Sequence, residues 1–324
     1  MSARDALTAM ILAYEVSARA AVTLHATVSD YHTSGAWNTL GVAALGARLM
    51  GLSADQLRHA LGIAEYHGPR SQMMREIATP TMLHDGSGWG ALAGMTAAVM
   101  AEAGFTGAPA VTVEAVEAAA FWQDLGQDWQ VLKQYIKPYP TCRWAHAAVD
   151  AARELCEAHG LTADDVVEVR IRSFDYALEL WPGMPDTTSK AQYALPFPVA
   201  VMIVHGRIGL EHVSGAGLSD GEVARLVART KLIRAPHLQA RYPEGRWAEV
   251  ELVLGDGRVV GSGEVHARGG PERPFSESDI VGKYMEFAAP VLGLMRAAGL
   301  RDAVLGLAEG KPFSEVARFL YDPV

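Results

Sequence analysis

A histidine at a break between two helical patterns is the first candidate for chemistry. His32 lies in the run Tyr31–Gly35, between two stretches with helical apolar spacing. An imidazole has a reference pKa of about 6.5, so a loop histidine can take up and release protons near neutral pH. An exposed loop histidine without a chemical role is the alternative, and spacing alone leaves both interpretations open.

A lysine in a proline-rich loop is the second candidate. Lys137 stands between Ile136 and two prolines in the run Ile136–Arg143. The chain has only 6 lysines against 22 arginines, so a lysine in a rigid loop is unusual here. Such a lysine can pair with a carboxylate, and burial would lower its pKa so that it could transfer protons. A solvated loop lysine explains the same pattern. Arg143 is a second cation in this run.

A glycine-rich turn is the third candidate. The run His84–Gly90 precedes an apolar helical pattern that continues to Ala103. The free N–H groups of a helix start attract anions, so the turn around Gly86 could hold a carboxylate. His84 and Asp85 would then line a site or cap the helix. Close packing between helices explains the glycines equally well, and the spacing matches neither a dinucleotide fingerprint nor a phosphate loop.

Metal and nucleophile signals are weak. Cys142 and His146 are four residues apart, as two ligands on one helical turn would be, but a zinc site needs further ligands. We therefore predict no metal site. Neither the Gly-x-Ser-x-Gly nor the His-Glu-x-x-His motif occurs in the sequence. Two cysteines are too few for a disulfide scaffold, which favours a reducing, cytoplasmic setting.

Composition excludes several classes of protein. The net charge of −9 and the isoelectric point near 5.7 do not resemble a nucleic-acid-binding surface. A hydrophobic fraction of 50% is too high for a disordered chain. We expect no apolar stretch to reach the ~18–20 residues of a membrane helix. We expect neither a nucleic-acid nor a membrane partner.

The predicted secondary structure that must position these residues changes from all helix to mixed helix and strand after Tyr135. Before it, apolar spacing predicts helices, one of them with a capping box of Ser53 and Gln56. The predicted helices cover 6–28, 37–50, 53–66, 90–103 and 112–120. After it, the pattern predicts helices at 144–158, 189–205 (kinked or divided by its prolines) and 219–230 (capped by Ser219), with strands at 166–172, 247–254 and 258–268. Ser276 and Asp279 begin a return to helix. The prediction is an α and α+β fold: a large helical domain (1–135 and 276–324) with a smaller α+β domain (136–275) inserted.

Several of these motifs together resemble the MmgE/PrpD family. The resemblance covers nearly the whole chain in order, and its most specific part is the Lys-Pro-Tyr-Pro run followed by His146. The matching runs are 31–35, 43–53, 60–64, 83–86, 103–107, 136–142, 191–197 and 256–258. The resemblance implies a large helical domain with a smaller α+β lid domain, usually in a homodimer. It also implies cofactor-free proton movement, elimination or decarboxylation next to a carboxylate, as in 2-methylcitrate dehydration, cis-aconitate decarboxylation and iminodisuccinate epimerisation.

The family's functional positions transfer only in part. The resemblance implies an active-site histidine at His32 and a carboxylate-binding or acid–base lysine at Lys137. We add His84 as a second proton-transfer group. The expected substrate-binding residues are Asp85, Gly86, Arg143, Thr81 and Phe197. Thr81 stands where the family commonly has a lysine, and Phe197 stands where the decarboxylase-like members have a lid tyrosine. We also expect the chain to lack the family's N-terminal segment with its His/Asp-rich motif.

Three functions remain open at this stage. The first is a lyase or isomerase without a cofactor that abstracts a proton next to a carboxylate of a small di- or tricarboxylate. The second is an N-terminally truncated or non-catalytic member that serves as an oligomer or binding partner. The third is an anion-binding regulatory module that uses the turn at Gly86–Gly90.

Overall fold

The structure is a computed structural model and describes residues 1–321. Contacts divide the chain into two units. Unit 1 comprises Met1–Glu76, Leu83–Gln134 and the chain from Ala289 onward, and unit 2 comprises Ile77–Met82 and Tyr135–Ala288. The predicted α and α+β fold class is confirmed, because most of the chain is helical and unit 2 holds a small mixed sheet. The domain ranges given above remain predictions.

The helices of unit 1 begin where the sequence offers caps. The Ser2 side chain accepts a hydrogen bond from the Asp5 N–H, and both bonds of the predicted Ser53–Gln56 capping box are present. The predicted helix over 112–120 is wrong as one element, because Ala115 is extended and divides it. The helices in chain order are α1 (Ala3–Thr27), α2 (Gly35–Met50), α3 (Ala54–His67), α4 (Met73–Ala78), α5 (Ser87–Glu102), α6 (Val111–Glu114) and α7 (Ala119–Trp122).

Small residues let the main helices of unit 1 approach closely. The core around α1, α2, α3 and α5 is built largely from alanine, including Ala20, Ala43, Ala60 and Ala97, each fully buried. A Cβ added at Gly94 of α5 would lie 2.4 Å from the Thr39 carbonyl oxygen of α2. The glycines of α5 therefore serve helix packing at this position.

Helix α1 corrects one expectation about membranes. By length and composition it is apolar enough to cross a membrane, whereas we expected no stretch to reach that length. This is weak evidence, because a signal sequence or the core helix of a soluble protein passes the same test. Glu15 and Arg19 of this helix are almost fully buried and form an ion pair at 2.7 Å. Arg19 also donates to the Phe121 carbonyl and to Asp124, so α1 has polar partners inside unit 1.

The sheet of unit 2 has the strand order β2-β1-β3-β4, with β5 also paired to β3. β2 is parallel to β1, and the other pairings are antiparallel. The strands are β1 (Val166–Ser173), β2 (Thr230–Arg234), β3 (Trp247–Leu254), β4 (Val259–Gly261) and β5 (Val265–His266). The predicted strand over 258–268 is thus two short strands. Residues 230–234 form a strand that the sequence analysis missed.

The helices of unit 2 follow the prolines and caps. The predicted helix over 189–205 is divided before Pro196, since proline begins a helix more readily than it continues one. Asp220, rather than the predicted Ser219, caps the helix that ends at Ala228. The helices are α8 (Arg143–His159), α9 (Asp175–Leu178), α10 (Thr188–Gln192), α11 (Pro196–His205), α12 (Gly221–Ala228), α13 (Pro236–Gln239) and α14 (Glu277–Leu292), followed in unit 1 by α15 (Leu294–Leu305) and α16 (Ser314–Tyr321).

Candidate functional site

His32 is buried between two charged residues of unit 1. Its exposure is 1%, so it is not the exposed loop histidine of the alternative interpretation. The Arg70 Nε–H donates to His32 Nε2 at 3.0 Å, and His32 Nδ1 lies 3.1 Å from an Asp30 carboxylate oxygen. Because Nε2 accepts, the neutral ring carries its proton on Nδ1, which lies close to Asp30 without a hydrogen bond to it. Burial and the Arg70 charge lower the pKa of His32, so the ring is neutral at pH 7.

Backbone pairing explains how Arg70 reaches His32. The Thr33 N–H donates to the Ser71 carbonyl, and the Met73 N–H donates to the Tyr31 carbonyl. These bonds align the two segments and bring the residue before Ser71 beside the histidine. The sequence gives no local sign of this pairing, because the two residues are 38 positions apart.

The glycine-rich turn lies against the His32 loop. The Gly35 N–H donates to the Asp85 carbonyl at 2.8 Å, and the Ser34 and Ser87 hydroxyls are 2.5 Å apart. Asp85 and Gly86 both have left-handed backbones, with φ of 51° and 68°. The Asp85 N–H donates to both oxygens of the Glu76 carboxylate, which holds this turn in place. Two of the predicted motifs thus meet within unit 1.

The Lys137 loop of unit 2 is held at both ends by backbone bonds. The Ile136 N–H donates to the Gly269 carbonyl, and the Cys142 N–H donates to the Gln192 carbonyl. A Cβ at Gly269 would lie 2.1 Å from the Ile136 carbonyl oxygen, and its φ is 106°, so glycine is required there. The loop is therefore rigid, as its two prolines predict.

The fully buried His146 holds this loop through a hydrogen bond to its backbone. His146 Nε2–H donates to the Thr141 carbonyl, and the Tyr135 hydroxyl donates to Nδ1 at 2.8 Å. Both ring nitrogens are used, which leaves no lone pair for a metal shared with Cys142. The Arg143 guanidinium lies 3.9 Å from the centre of the Tyr135 ring. His146 thereby fixes the ring on which Arg143 rests.

A buried carboxylate anchors the middle of the loop. Asp150 has no exposed surface and accepts hydrogen bonds from the Tyr139 hydroxyl at 2.7 Å and from the backbone N–H and Nε–H of Arg268. Arg268 also donates to the Tyr139 hydroxyl. Burial and the Asp150 charge raise the pKa of Tyr139, so the phenol stays protonated.

Three cations surround His146. Burial, followed by the charges of Lys137, Arg143 and Lys283, holds the His146 pKa well below its usual range. Burial and the Lys137 charge also lower the pKa of Lys283 on α14. Within residues 1–321, neither lysine has an ion pair. Lys283 was not among the predicted site residues, although the scarcity of lysine in this chain is a signal that points to it.

The remaining predicted site residues differ in exposure. Lys137 and Thr81 are exposed, and Arg143, His84 and Asp85 are half-buried. Phe197 is the second residue of α11 and is 0% exposed. Its ring therefore presents no surface to a ligand in this conformation. His32, His84, Asp85 and Gly86 belong to unit 1, whereas Thr81, Lys137, Arg143 and Phe197 belong to unit 2. Their roles stay predictions.

Comparison with known proteins covers almost the whole chain. Residues 1–129 match the MmgE/PrpD N-terminal domain, and residues 139–308 match the MmgE/PrpD C-terminal domain. The cis-aconitate decarboxylases of Mus musculus and Homo sapiens are each 23% identical to this chain over 312 residues. The alignments cover 90% of this chain but 62% and 63% of those proteins. The chain thus spans somewhat more than three-fifths of the length of these curated relatives.

Proposed function

Because the chain belongs to the MmgE/PrpD family, we propose that it acts as a lyase or isomerase on a small di- or tricarboxylate. The reaction begins with removal of a proton from a carbon next to a carboxylate. The distant similarity to cis-aconitate decarboxylases supports this class of substrate. Dehydration, decarboxylation and epimerisation all belong to this class of chemistry.

The observation that carries the proposal is a group of three cations, which consists of Lys137 and Arg143 with Lys283 of α14. Lys137 and Lys283 lie close enough for one charge to lower the pKa of the other, and no carboxylate of the described residues pairs with either. Like charges held close together favour an anion between them. A substrate carboxylate would supply that anion, and Arg143 on its aromatic support adds a third positive charge.

The chemistry requires a base and a way to stabilise negative charge. A C–H next to a carboxylate is weakly acidic, and its removal leaves enolate-like charge on the oxygens. Fixed cations around those oxygens stabilise the transition state more than the ground state. In this proposal, Lys137, Lys283 and Arg143 bind the carboxylates.

His32 keeps its predicted acid–base role in the proposal. A general base must be unprotonated, and burial beside Arg70 favours the neutral ring. Asp30 lies against Nδ1 and would stabilise the imidazolium that forms. Nε2 accepts a hydrogen bond from Arg70 here, so proton abstraction requires this half-exposed arginine to move away. His84 remains a candidate for the second proton transfer.

Substitution of Lys137 tests the proposal. We expect Lys137→Ala to lower kcat/KM by about 10²-fold, because it removes a cation next to developing charge. Proton NMR with 2-methylcitrate, cis-aconitate and related acids in D2O follows both turnover and deuterium exchange next to the carboxylate. Lys231→Ala is the matched control, since Lys231 is an exposed lysine of unit 2 paired with Glu168.

Two results would contradict the proposal. The first is an equal loss of activity in both lysine variants, which would deny Lys137 a special role. The second is a wild-type chain that binds the acids without exchange or turnover, which would favour a non-catalytic family member or an anion-binding module.

We further propose that the chain forms a homodimer in a reducing cytoplasm. Apolar side chains exposed on α5, among them Trp89 at 66% and Leu92 at 56%, support association through unit 1. Sedimentation at several concentrations measures the oligomeric state, and a monomer throughout would refute the dimer.

A further inference from the structure

Three metal-ligating side chains meet on the solvent-facing side of the sheet in unit 2. In β3, Trp247 and Glu249 alternate with the buried Ala248 and Val250, so both lie on the open face. His237 is on α13 and Glu264 directly precedes β5. One donor atom from each of His237, Glu249 and Glu264 lies within 4.8 Å of the other two.

The distances suit a small divalent ion. His237 Nε2 lies 2.8 Å from a Glu249 oxygen and 4.0 Å from Glu264 Oε1. Zinc ligands at ~2.0–2.2 Å from a tetrahedral ion are about 3.4 Å from one another. His237 Nε2–H donates a hydrogen bond to Glu249 here, so the metal would take the place of this proton, and small side-chain rotations would form the site. Three ligands leave a fourth position open.

Arg241 pairs with Glu264 without blocking it. The Arg241 guanidinium contacts Oε2, whereas Oε1 is the oxygen nearer to His237. Arg241 itself rests on the Trp247 ring, 3.5 Å from its centre. Glu264 can therefore keep its arginine and offer its other oxygen to a metal, which is how outer partners orient ligands in metal sites.

Acidic side chains line the adjoining cavity. It has a volume of about 660 Å³ and is lined by Glu264 together with Glu244, Glu272 and His266. Among residues 1–321, Glu244 and Glu272 have no ion pair, which leaves excess negative charge facing the cavity. His266 is 9% exposed and lies in the wall of this cavity, where its ring packs on Trp247 with the ring centres 4.8 Å apart. With Glu154, four carboxylates line the cavity against the two guanidinium groups of Arg241 and Arg273, so its walls attract cations.

We propose that His237, Glu249 and Glu264 bind a divalent transition-metal ion beside this acidic cavity. One imidazole and two carboxylates are ligands that zinc accepts, and their charge matches a dication. The open fourth position would hold water or a ligand from the cavity. This site differs from the cations around Lys137 in the charge that it binds, because it attracts cations and they attract anions.

Metal titration tests this site on the full chain. We expect the EDTA-treated protein to bind one equivalent of Zn²⁺ by calorimetry, and Co²⁺ in its place to give the intense visible bands of four-coordinate cobalt. His237→Gln and Glu249→Gln should each weaken Zn²⁺ binding by ~10-fold or more, because each removes a ligand. These residues are at the surface, and circular dichroism verifies that the variants fold.

A second histidine–carboxylate pair provides the control. His205 lies 2.9 Å from Asp220 and is similarly accessible. His205→Gln should leave Zn²⁺ affinity unchanged. Binding that survives loss of His237 and Glu249, binding that is lost with His205, or no binding by the wild-type chain would each overturn the proposal. Because the readout is metal affinity, the result does not depend on the proposed lyase activity.

Discussion

At the scale of single residues, two equally buried histidines differ in their polar partners. His146 uses both ring nitrogens inside unit 2 and has no exposed surface, so it supports a loop and transfers no proton. His32 is equally buried but lies between Asp30 and the half-exposed Arg70. Of the two, only His32 has a partner, Arg70, that can move away and release a ring nitrogen.

Asp150 is the residue on which the Lys137 loop depends most. We expect Asp150→Asn to lower the free energy of unfolding by about 3 kcal/mol, because it leaves the Arg268 guanidinium without its buried counter-charge. Urea denaturation followed by fluorescence measures this loss. Glu157→Gln changes an exposed carboxylate on the same helix and should have little effect. Equal stabilities for the two variants would show that Asp150 does not anchor the loop.

At the scale of elements, the packing of α5 on α2 depends on which glycines face the neighbouring helix. A Cβ at Gly90 would lie 2.8 Å from the Gly35 carbonyl oxygen, and one at Gly94 would lie even closer to Thr39. Gly88 has no atom within 4 Å of its added Cβ. The sequence pattern could not separate these positions, because both interpretations of the turn required glycine.

Alanine substitutions distinguish the two kinds of glycine. We expect Gly94→Ala to lower the free energy of unfolding by ~1–3 kcal/mol, since two backbones must move apart. Gly88→Ala should be neutral or should stabilise by up to ~1 kcal/mol, because alanine loses less entropy in a helix. Thermal denaturation of the pair measures both effects, and a Gly94→Ala protein as stable as wild type would refute the close approach.

At the scale of the whole molecule, stability should decrease in acid. Burial lowers the pKa values of His32, His146, His212 and His266 in the folded protein. The unfolded chain takes up these protons near pH ~6.5, whereas the folded chain resists them. The contribution of these histidines to the free energy of unfolding is therefore fully present above this pH, and it is lost as the pH falls below it towards their pKa values in the folded protein.

Urea midpoints at pH 7.5 and 5.5 measure this dependence. Each histidine adds at most ~1.4 kcal/mol per pH unit to the slope below its unfolded-state pKa. His146→Gln should reduce the slope even if it also destabilises the protein. A flat profile for the wild-type chain, or an unchanged slope in the variant, would contradict this account.

Local features of the whole chain could be predicted, and distant contacts could not. The Ser53 capping box, the proline division before α11 and the strand over Trp247–Leu254 all follow from residues within a few positions. β2 was missed because its five residues are stabilised by pairing with β1, far away in the sequence. Arg70 and Lys283 were missed for the same reason. Only tertiary contacts bring Arg70 to His32 and Lys283 near Lys137.

The small core formed by both ends of unit 1 constrains how the chain is made. Ala3 of α1 packs in one cluster with Ala303, Leu307 and Val316, supported by Leu7 and Phe313. A ribosome releases the first of these residues long before the last. The apolar start of α1 must therefore wait, exposed to chaperones and to other nascent chains, until unit 2 and then α15 and α16 have emerged. The start of α1 is therefore buried later than the rest of this helix, which packs on α2.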